Sequence, residues 1–363
     1  MEVCPNRRRN GRGRPKQHGA RELPRKAKRE NAGLEKPMKR PDWIARIAAA
    51  AGALAVLCAF GVPQPARGAS AYTLTPTVNG MELKTPDGRV VFEYLTKKPE
   101  GVPLTSPSAA CFHPVNTPSG VRVTNIAPLD HPHHRGIFFG WHDGEFHTPE
   151  VVKADFWGWG SLAPRDGRVV QNTEVKLVSA DDKQAKIAIH NDWLVNAKKM
   201  GDEFDSATVT ERDRVYVLDL EYRIAPLYDY VANQNAFGGF DVQCRKDGES
   251  YYSNLYGKTT YADPQLSNPG LNLPDFGWYD FTIRIFDLAK TVGAAVINHP
   301  GNGPTTWHNI STLWMLNPVI VAAGPVTIKA GSSKTLRYRV VVHDGPSPTW
   351  VLQKLADEYR GGR

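Results

Sequence analysis

Past residue 72 the chain is organised in short runs where apolar and polar positions alternate. Residues 168–178, 185–195, 207–224, 281–287, 291–298 and 335–343 are rich in β-branched and aromatic residues. Such runs, separated by turn residues, read as strands. Within 212–223 the order Arg-Asp-Arg-Val-Tyr-Val-Leu-Asp-Leu-Glu-Tyr-Arg puts apolar side chains at alternate positions. That period suits a strand with one wet face. Pro86-Asp87-Gly88, Asp166-Gly167 and Asp247-Gly248 mark turns between runs. A helical pattern is confined to residues 348–359, where Trp350, Leu352, Leu355 and Tyr359 would form the apolar face. The pattern predicts an all-β fold: a large antiparallel β-sandwich with a short C-terminal helix. Four long irregular stretches, 97–120, 128–160, 228–239 and 261–280, interrupt it, and loops on a rigid scaffold are where sites are usually built. No internal repeat of fixed period is visible, so a propeller is not expected.

The first seventy residues have another character. Lys39, Arg40 and Arg46 precede an uncharged apolar run at 47–62, and Ala69-Ser70-Ala71 follows. A basic segment, a short apolar segment and a small-residue cleavage site make a secretory signal peptide. The run is shorter than the roughly 20 residues a membrane span needs. Residues 38–71 are therefore expected to be a signal peptide, cut after Ala71, and 72–363 a single exported domain, periplasmic or extracellular. Residues 1–37 form a basic, disordered-type extension; translation starting at Met38 would remove it. Sixteen of the 45 basic and five of the 37 acidic residues fall in 1–71, leaving 29 and 32 and a balance of −3. The overall +8 belongs to the leader. Without a basic face the mature domain has little electrostatic attraction for nucleic acid. Cys4 and Cys58 also fall in the leader. The remaining Cys111 and Cys244 could pair in an oxidising compartment or stand as separate buried thiols.

Candidate chemistry lies in the irregular stretches. Asp130-His131-Pro132-His133-His134-Arg135-Gly136 is followed by Trp141-His142-Asp143, so four of the eleven histidines fall within twelve residues. Imidazole transfers protons near neutral pH and ligates metals. In an extended segment His131 and His133 would point one way and His134 the other. Arg135 is a natural anchor for a carboxylate or oxyanion. His299 and Asn302 in Asn-His-Pro-Gly-Asn, then His308 after Trp307, form a second cluster, and His343-Asp344 a third. Each histidine could equally be a hydrogen-bonded packing residue. Asp155-Phe-Trp157-Gly-Trp159-Gly places two tryptophans in a Gly-rich loop, an arrangement suited to stacking a sugar ring while Asp155 accepts from its hydroxyls. Tyr251, Tyr252, Tyr256, Tyr261 and Asn254 could line the same cleft.

Four segments carry a family resemblance: Asp130-His-Pro-His-His-Arg-Gly with Phe-Gly-Trp-His, Asp155-Phe-Trp-Gly, Asn298-His-Pro-Gly-Asn through Trp307-His308, and Tyr338-Arg-Val-Val-Val-His-Asp-Gly. The resemblance extends over residues 104–345. The chain resembles exported bacterial proteins labelled "methane oxygenase PmoA". That resemblance implies a β-sandwich distantly similar to the supersandwich of sugar mutarotases, and no established reaction. The oxygenase label fits poorly, because an integral membrane oxygenase subunit needs spans of about 20 apolar residues. One position departs: Asn309, Ile310 and Ser311 follow Trp307-His308 where the family often has an arginine.

The reading that uses most of these residues is an exported enzyme acting on carbohydrate or sugar-derived substrates, a hydrolase, lyase or epimerase. His131, His133, His134, His142 and His308 would supply acid–base groups. Arg135, Asp155, Trp157, Trp159, His299, Asn302 and His343 would bind substrate. No cofactor is predicted. A divalent metal on His131, His133 and His308 is the alternative, and a non-catalytic glycan-binding module is the third reading.

Overall fold

The computed structural model describes residues 70–259 and 268–361. The predicted leader, apart from its last two residues, lies outside these, as do Cys4, Cys58 and Tyr261.

Among the described residues two large antiparallel sheets share one core. The nine-stranded sheet runs, edge to edge, Gly257–Thr259, Gly248–Asn254, Trp278–Ile285, Lys290–Asn298, Lys334–Asp344, Val215–Pro226, Lys198–Arg212, Gln184–Val195 and Arg168–Ala180. The seven-stranded sheet runs Thr73–Pro76, Gly80–Lys84, Val90–Leu95, Cys111–Val115, Ile137–Gly140, Gly239–Gln243 and Met315–Leu316. Rings cross between them: Phe139 stacks on Tyr222 at 5.3 Å and Phe240 on Tyr338 at 4.2 Å. A four-stranded and a three-stranded sheet complete the described strands. The all-β antiparallel sandwich expected from the alternating runs is therefore present.

The expected run at 207–224 is two strands. Lys198–Arg212 and Val215–Pro226 pair in register through Arg212 and Val215. Asp213 and Arg214 turn between them with φ of 53° and 64°. A two-residue turn with both φ positive matches the twist of a hairpin. The core-facing positions change from odd (Ala207, Val209) to even (Leu218, Leu220) across Glu211-Arg212-Asp213-Arg214, so the reversal is marked by a change of phase that the single expected run passes over. The stretches read as irregular also contain strands, among them Cys111–Val115, Ile137–Gly140 and Asp229–Ala232.

The C-terminal helix Thr349–Gly361 packs Leu352, Leu355 and Ala356 against Val215, Val217, Trp278, Ala295, Ile297 and Val341. It covers the outer face of the nine-stranded sheet. Trp350 was expected on its apolar face but is 75% exposed, on the side of the helix opposite the packed stripe. Because core and helix cover opposite faces, Lys290–Asn298 is buried almost throughout, and its sequence shows no alternation. Cys111 and Cys244 are both free and buried.

The outer face of the seven-stranded sheet positions the site. Phe138 and Asp241 are cross-strand partners, and Gln243 lies two residues further on the same face. Asp241 is fully buried, and neither carboxylate oxygen has a hydrogen-bond partner among the described residues. Burial drives its pKa well up, with Arg135 opposing. A carboxyl that stays protonated in the fold lets the unfolded chain ionise alone as pH rises, so stability falls above the ordinary carboxylate range, by up to about 1.4 kcal/mol per pH unit. Asp241→Asn removes that loss. Its melting temperature is expected to exceed the wild type's by a margin that grows from pH 5 to pH 8, and a margin independent of pH would show that Asp241 is ionised in the fold.

Candidate functional site

Residues 131–134 are not extended. The His131 amide donates to Pro128 O at 3.0 Å, the His134 amide to His131 O at 2.9 Å, and the Ala127 amide to His134 O at 2.8 Å. These turns, with Pro128 and Pro132, coil the segment. The expected split of His134 from His131 and His133 is thereby overturned. The three rings pack together, with centroids 4.5 to 5.7 Å apart, and all three border one cavity. Gly136 makes the coil possible: its φ is 49°, and a Cβ there would lie 2.1 Å from Phe112 O.

The tryptophan loop forms the next wall. The Asp155 carboxylate accepts from the amides of Gly158 at 2.6 Å and Gly160 at 2.5 Å. Burial pushes its pKa up to about 6, against those amides and Arg135. Its oxygens therefore hold the loop, instead of waiting for ligand hydroxyls. Trp157 is buried, whereas Trp159 is 38% exposed and stacks beside His133 with centroids 6.4 Å apart. Gly140 allows this loop to close on the sheet, since a Cβ there would sit 2.7 Å from Phe156 O.

Arg135 joins the two loops. Its guanidinium is fully buried and donates to His133 O at 3.3 Å, Trp157 O at 2.8 Å and Phe156 O at 3.3 Å. It lies 4.3 Å from the centroid of the Phe138 ring. It is a structural cation beneath the cleft, not the substrate anchor expected from sequence.

The opposite wall comes from Phe237, His308, Ile310, Leu313 and Met315, enclosing about 200 Å³. The Tyr252 hydroxyl secures that wall, 3.1 Å from Ile310 O and 2.9 Å from Met315 O. His142 does not border the cavity. It lies behind Phe237, stacked on that ring at 4.1 Å.

Two imidazoles have tautomers fixed by neighbouring amides. Gln243 Nε2 donates to Leu313 O at 2.9 Å and Cys244 O at 3.1 Å, so its Oε1 must face His134 Nδ1, 2.6 Å away. Asn272 Nδ2 donates to Ala236 O at 2.6 Å and Thr306 Oγ1 at 3.0 Å, so its Oδ1 faces His308 Nδ1 at 3.0 Å. An amide oxygen only accepts. Both histidines therefore carry hydrogen on Nδ1 and a lone pair on Nε2. Burial keeps the rings neutral: it lowers His134 to about 3 and His308 to about 4, and likewise His133 to about 2 and His142 to about 4. The site can accept protons or ligate, but its resting imidazoles are not acids.

Residues 84–357 match the model of a family of unknown function, DUF6807. The chain belongs to that family. The family description names no reaction, and nothing in it repeats the oxygenase label. No curated protein matches the chain. Among solved structures, the Slr1438 protein from Synechocystis sp. PCC 6803 is 11% identical, covering 77% of this chain and 98% of its own, with a TM-score of 0.35. A galactose mutarotase related enzyme from Lactobacillus acidophilus is 6% identical over 75% and 97%, TM-score 0.34. A GalM/aldose epimerase homologue from C. elegans is 9% identical over 76% and 96%, TM-score 0.31.

Three expected members of the site in this DUF6807 chain lie elsewhere. His343 is fully buried, its Nε2 2.8 Å from Asp280 Oδ1. It shares a sheet face with Val341, which packs under the C-terminal helix, so strand parity turns it away from the cleft. His299 caps the turn Pro300–Asn302, its Nδ1 accepting from the Gly301 amide at 3.0 Å. Asn302 spends its amide on Asn298 Oδ1 and Arg337 O, both at 2.8 Å. The expected metal set also fails to assemble. Among the described residues, the His, Cys, Asp or Glu groups whose ligand atoms gather within 4.8 Å are His190, Asp192 and Asp202, not His131, His133 and His308. Lys199 already bridges those two aspartates, 2.7 Å from each, so an ion there must displace an ammonium. Phe237, Gln243 and Asn272 went unnoticed in the sequence. A polar residue ending a fully buried strand, as Gln243 does in Gly239–Gln243, was the one available signal.

Two outcomes follow. Arg135→Met leaves two or three buried carbonyls without a donor, at about 1–3 kcal/mol each. We expect a loss of at least about 3 kcal/mol in urea unfolding; a loss under about 1 kcal/mol would show that Arg135 does not hold the loops. The neutral histidines give a second. His133, His134, His142, His308 and also His113, lowered to about 3, stay unprotonated in the fold while the unfolded chain binds protons below about pH 6.5. These histidines should therefore contribute a loss of stability as pH drops from 6.5 toward 4. The paired substitution His134→Gln, His308→Gln should make that fall shallower, read by melts across this range.

Proposed function

We propose that this DUF6807 chain is an exported enzyme that binds a carbohydrate or sugar-derived molecule in the cleft and moves a proton on it, with His134 or His308 as general base. The carrying observation is the pair of imidazoles whose Nδ1–H groups are held by Gln243 and Asn272, so that each keeps its lone pair on Nε2. A fixed tautomer and orientation are what a positioned base requires. The walls support a sugar. Trp159 offers a half-exposed ring face beside neutral polar rings, and a volume of about 200 Å³ is below the roughly 300–1,000 Å³ of sites for drug-sized ligands. A monosaccharide unit is of that smaller scale. The proton-transfer groups bordering the cleft are imidazoles, whereas glycoside hydrolysis typically uses two carboxylates. Abstraction of a carbon-bound proton, as in an epimerase or lyase, therefore fits better than hydrolysis.

The test uses proton NMR in D2O on a panel of aldoses, ketoses and sugar acids. A base that abstracts and returns a proton exchanges it for deuterium. We expect loss of one carbon-bound proton signal, or conversion to a product. His134→Ala or His308→Ala should slow this by at least about a hundredfold, the scale of general-base contributions. Unchanged rates in both variants would remove imidazole base catalysis from the reading. Saturable binding of a panel sugar with no exchange or conversion would replace it with a glycan-binding module.

A further inference from the structure

The charge around the cleft says more about the ligand. The Arg165 guanidinium sits at the Trp159 rim, its Nη1 3.3 Å from Gly158 O and 3.4 Å from Trp159 O. Its acidic neighbour is Asp166, 3.7 Å away with a side chain 98% exposed, so that pairing is weak and screened. Lys98 approaches from the loop that borders the histidine turn. Its ammonium donates to Leu104 O at 3.2 Å, and the next residue, Thr105, bonds the Pro132 carbonyl at 2.8 Å. Among the described residues Lys98 makes no ion pair. The cations crowd one another: burial lowers the Lys98 ammonium, and Arg135 and Arg165 lower it further. On the far rim Lys246 is paired with Asp130 at 2.5 Å, and so adds no net charge. The Asp155 carboxylate, which lies within the tryptophan loop, is turned into that loop. The described lining itself contains no acid. Low-dielectric aromatic walls focus such an unbalanced field into the cleft.

We infer that the ligand is an anionic sugar of the uronic-acid class, its carboxylate docking at the Trp159 rim against Arg165 and Lys98 while its ring lies on Trp159 toward the histidines. This rests on the sugar reading above and adds a charge to it. A carboxylate at that point also makes chemical sense for a histidine base. It acidifies the carbon-bound proton next to it, and the rim cations stabilise the negative charge that develops on proton removal.

The test is calorimetric titration of the full domain with D-galacturonate, D-glucuronate, D-galactose and D-glucose at neutral pH and low ionic strength. A uronate is expected to bind at least about tenfold more tightly than its neutral counterpart, a difference of about 1.4 kcal/mol, and to weaken as salt is added. The double variant Lys98→Met, Arg165→Met should abolish that preference, so that uronate and neutral sugar bind it with equal affinity. Arg165→Gln alone, checked by its melt, should remove part of it and guards against misfolding of the double variant. If neutral sugars bind as tightly as uronates, or if the variants leave the preference intact, the charge inference is overturned and the sugar reading stands. If none of the four sugars binds, the sugar reading falls and this inference with it.

Discussion

The Arg135 guanidinium is fully buried, and a cation in that position must be compensated where it stands. Moving an ion from water into a protein interior costs several kcal/mol even after relaxation. Here the compensation is three backbone carbonyls and the face of Phe138, with the Asp155 carboxylate close enough to favour the charge. Those carbonyls belong to the two loops that build the cleft, one carrying His133 and the other Trp157. The loops cannot separate without stranding the charge. The cost of burial thus becomes a constraint on geometry, since a charge this deep permits one arrangement of the segments around it.

The same arrangement explains why the histidines are neutral. Arg135 lowers His133 and His134 through space, and burial lowers them more. The site is hostile to added positive charge but rich in lone pairs. Gln243 and Asn272 then decide which nitrogen carries the hydrogen. Both are anchored by donating to backbone carbonyls, so their oxygens cannot rotate away. Backbone groups fix amides, amides fix tautomers, and the tautomers leave Nε2 as the reactive atom. Such ordering through outer contacts is what separates a positioned base from a histidine that is merely near a cavity.

The strands were legible because a sandwich strand with one buried and one wet face writes its period into the sequence. Gln184–Val195 and Val215–Pro226 show it plainly. Where both faces are covered, as in Lys290–Asn298, the period vanishes. The hairpin at Asp213 and Arg214 left a different trace, a change of phase across the charged run Glu211-Arg212-Asp213-Arg214 inside a stretch apolar enough to read as one strand. Of the site, residues 131–134, Trp157, Trp159 and His308 were readable as dense chemistry in loops. What they do individually was not. Arg135 and Asp155 have the residue types of ligand contacts, yet their partners are backbone groups that only the fold brings near. His343 looked like an oriented base next to Asp344, while its partner is Asp280, 63 positions away. Sequence adjacency named the wrong carboxylate because a strand turns neighbouring side chains to opposite faces.

The cleft lies on the outer face of the seven-stranded sheet, away from the core shared with the nine-stranded one, and this bears on how much chemistry the fold can tolerate there. The shared core holds rings such as Phe139, Phe240, Tyr222 and Tyr338 in close stacking, where any volume change is felt at once. The outer face is closed by loops, whose positions depend on a few polar fastenings instead of interdigitated rings. Changing Phe237, Ile310, Leu313 or Met315 alters the wall without touching the sheet core. Changing Arg135, Asp155 or Gln243 alters where the wall stands. A family built on this scaffold can therefore vary its ligand through the first group only while it keeps the second, and the buried guanidinium is the member of that second group whose loss no neighbouring side chain can offset.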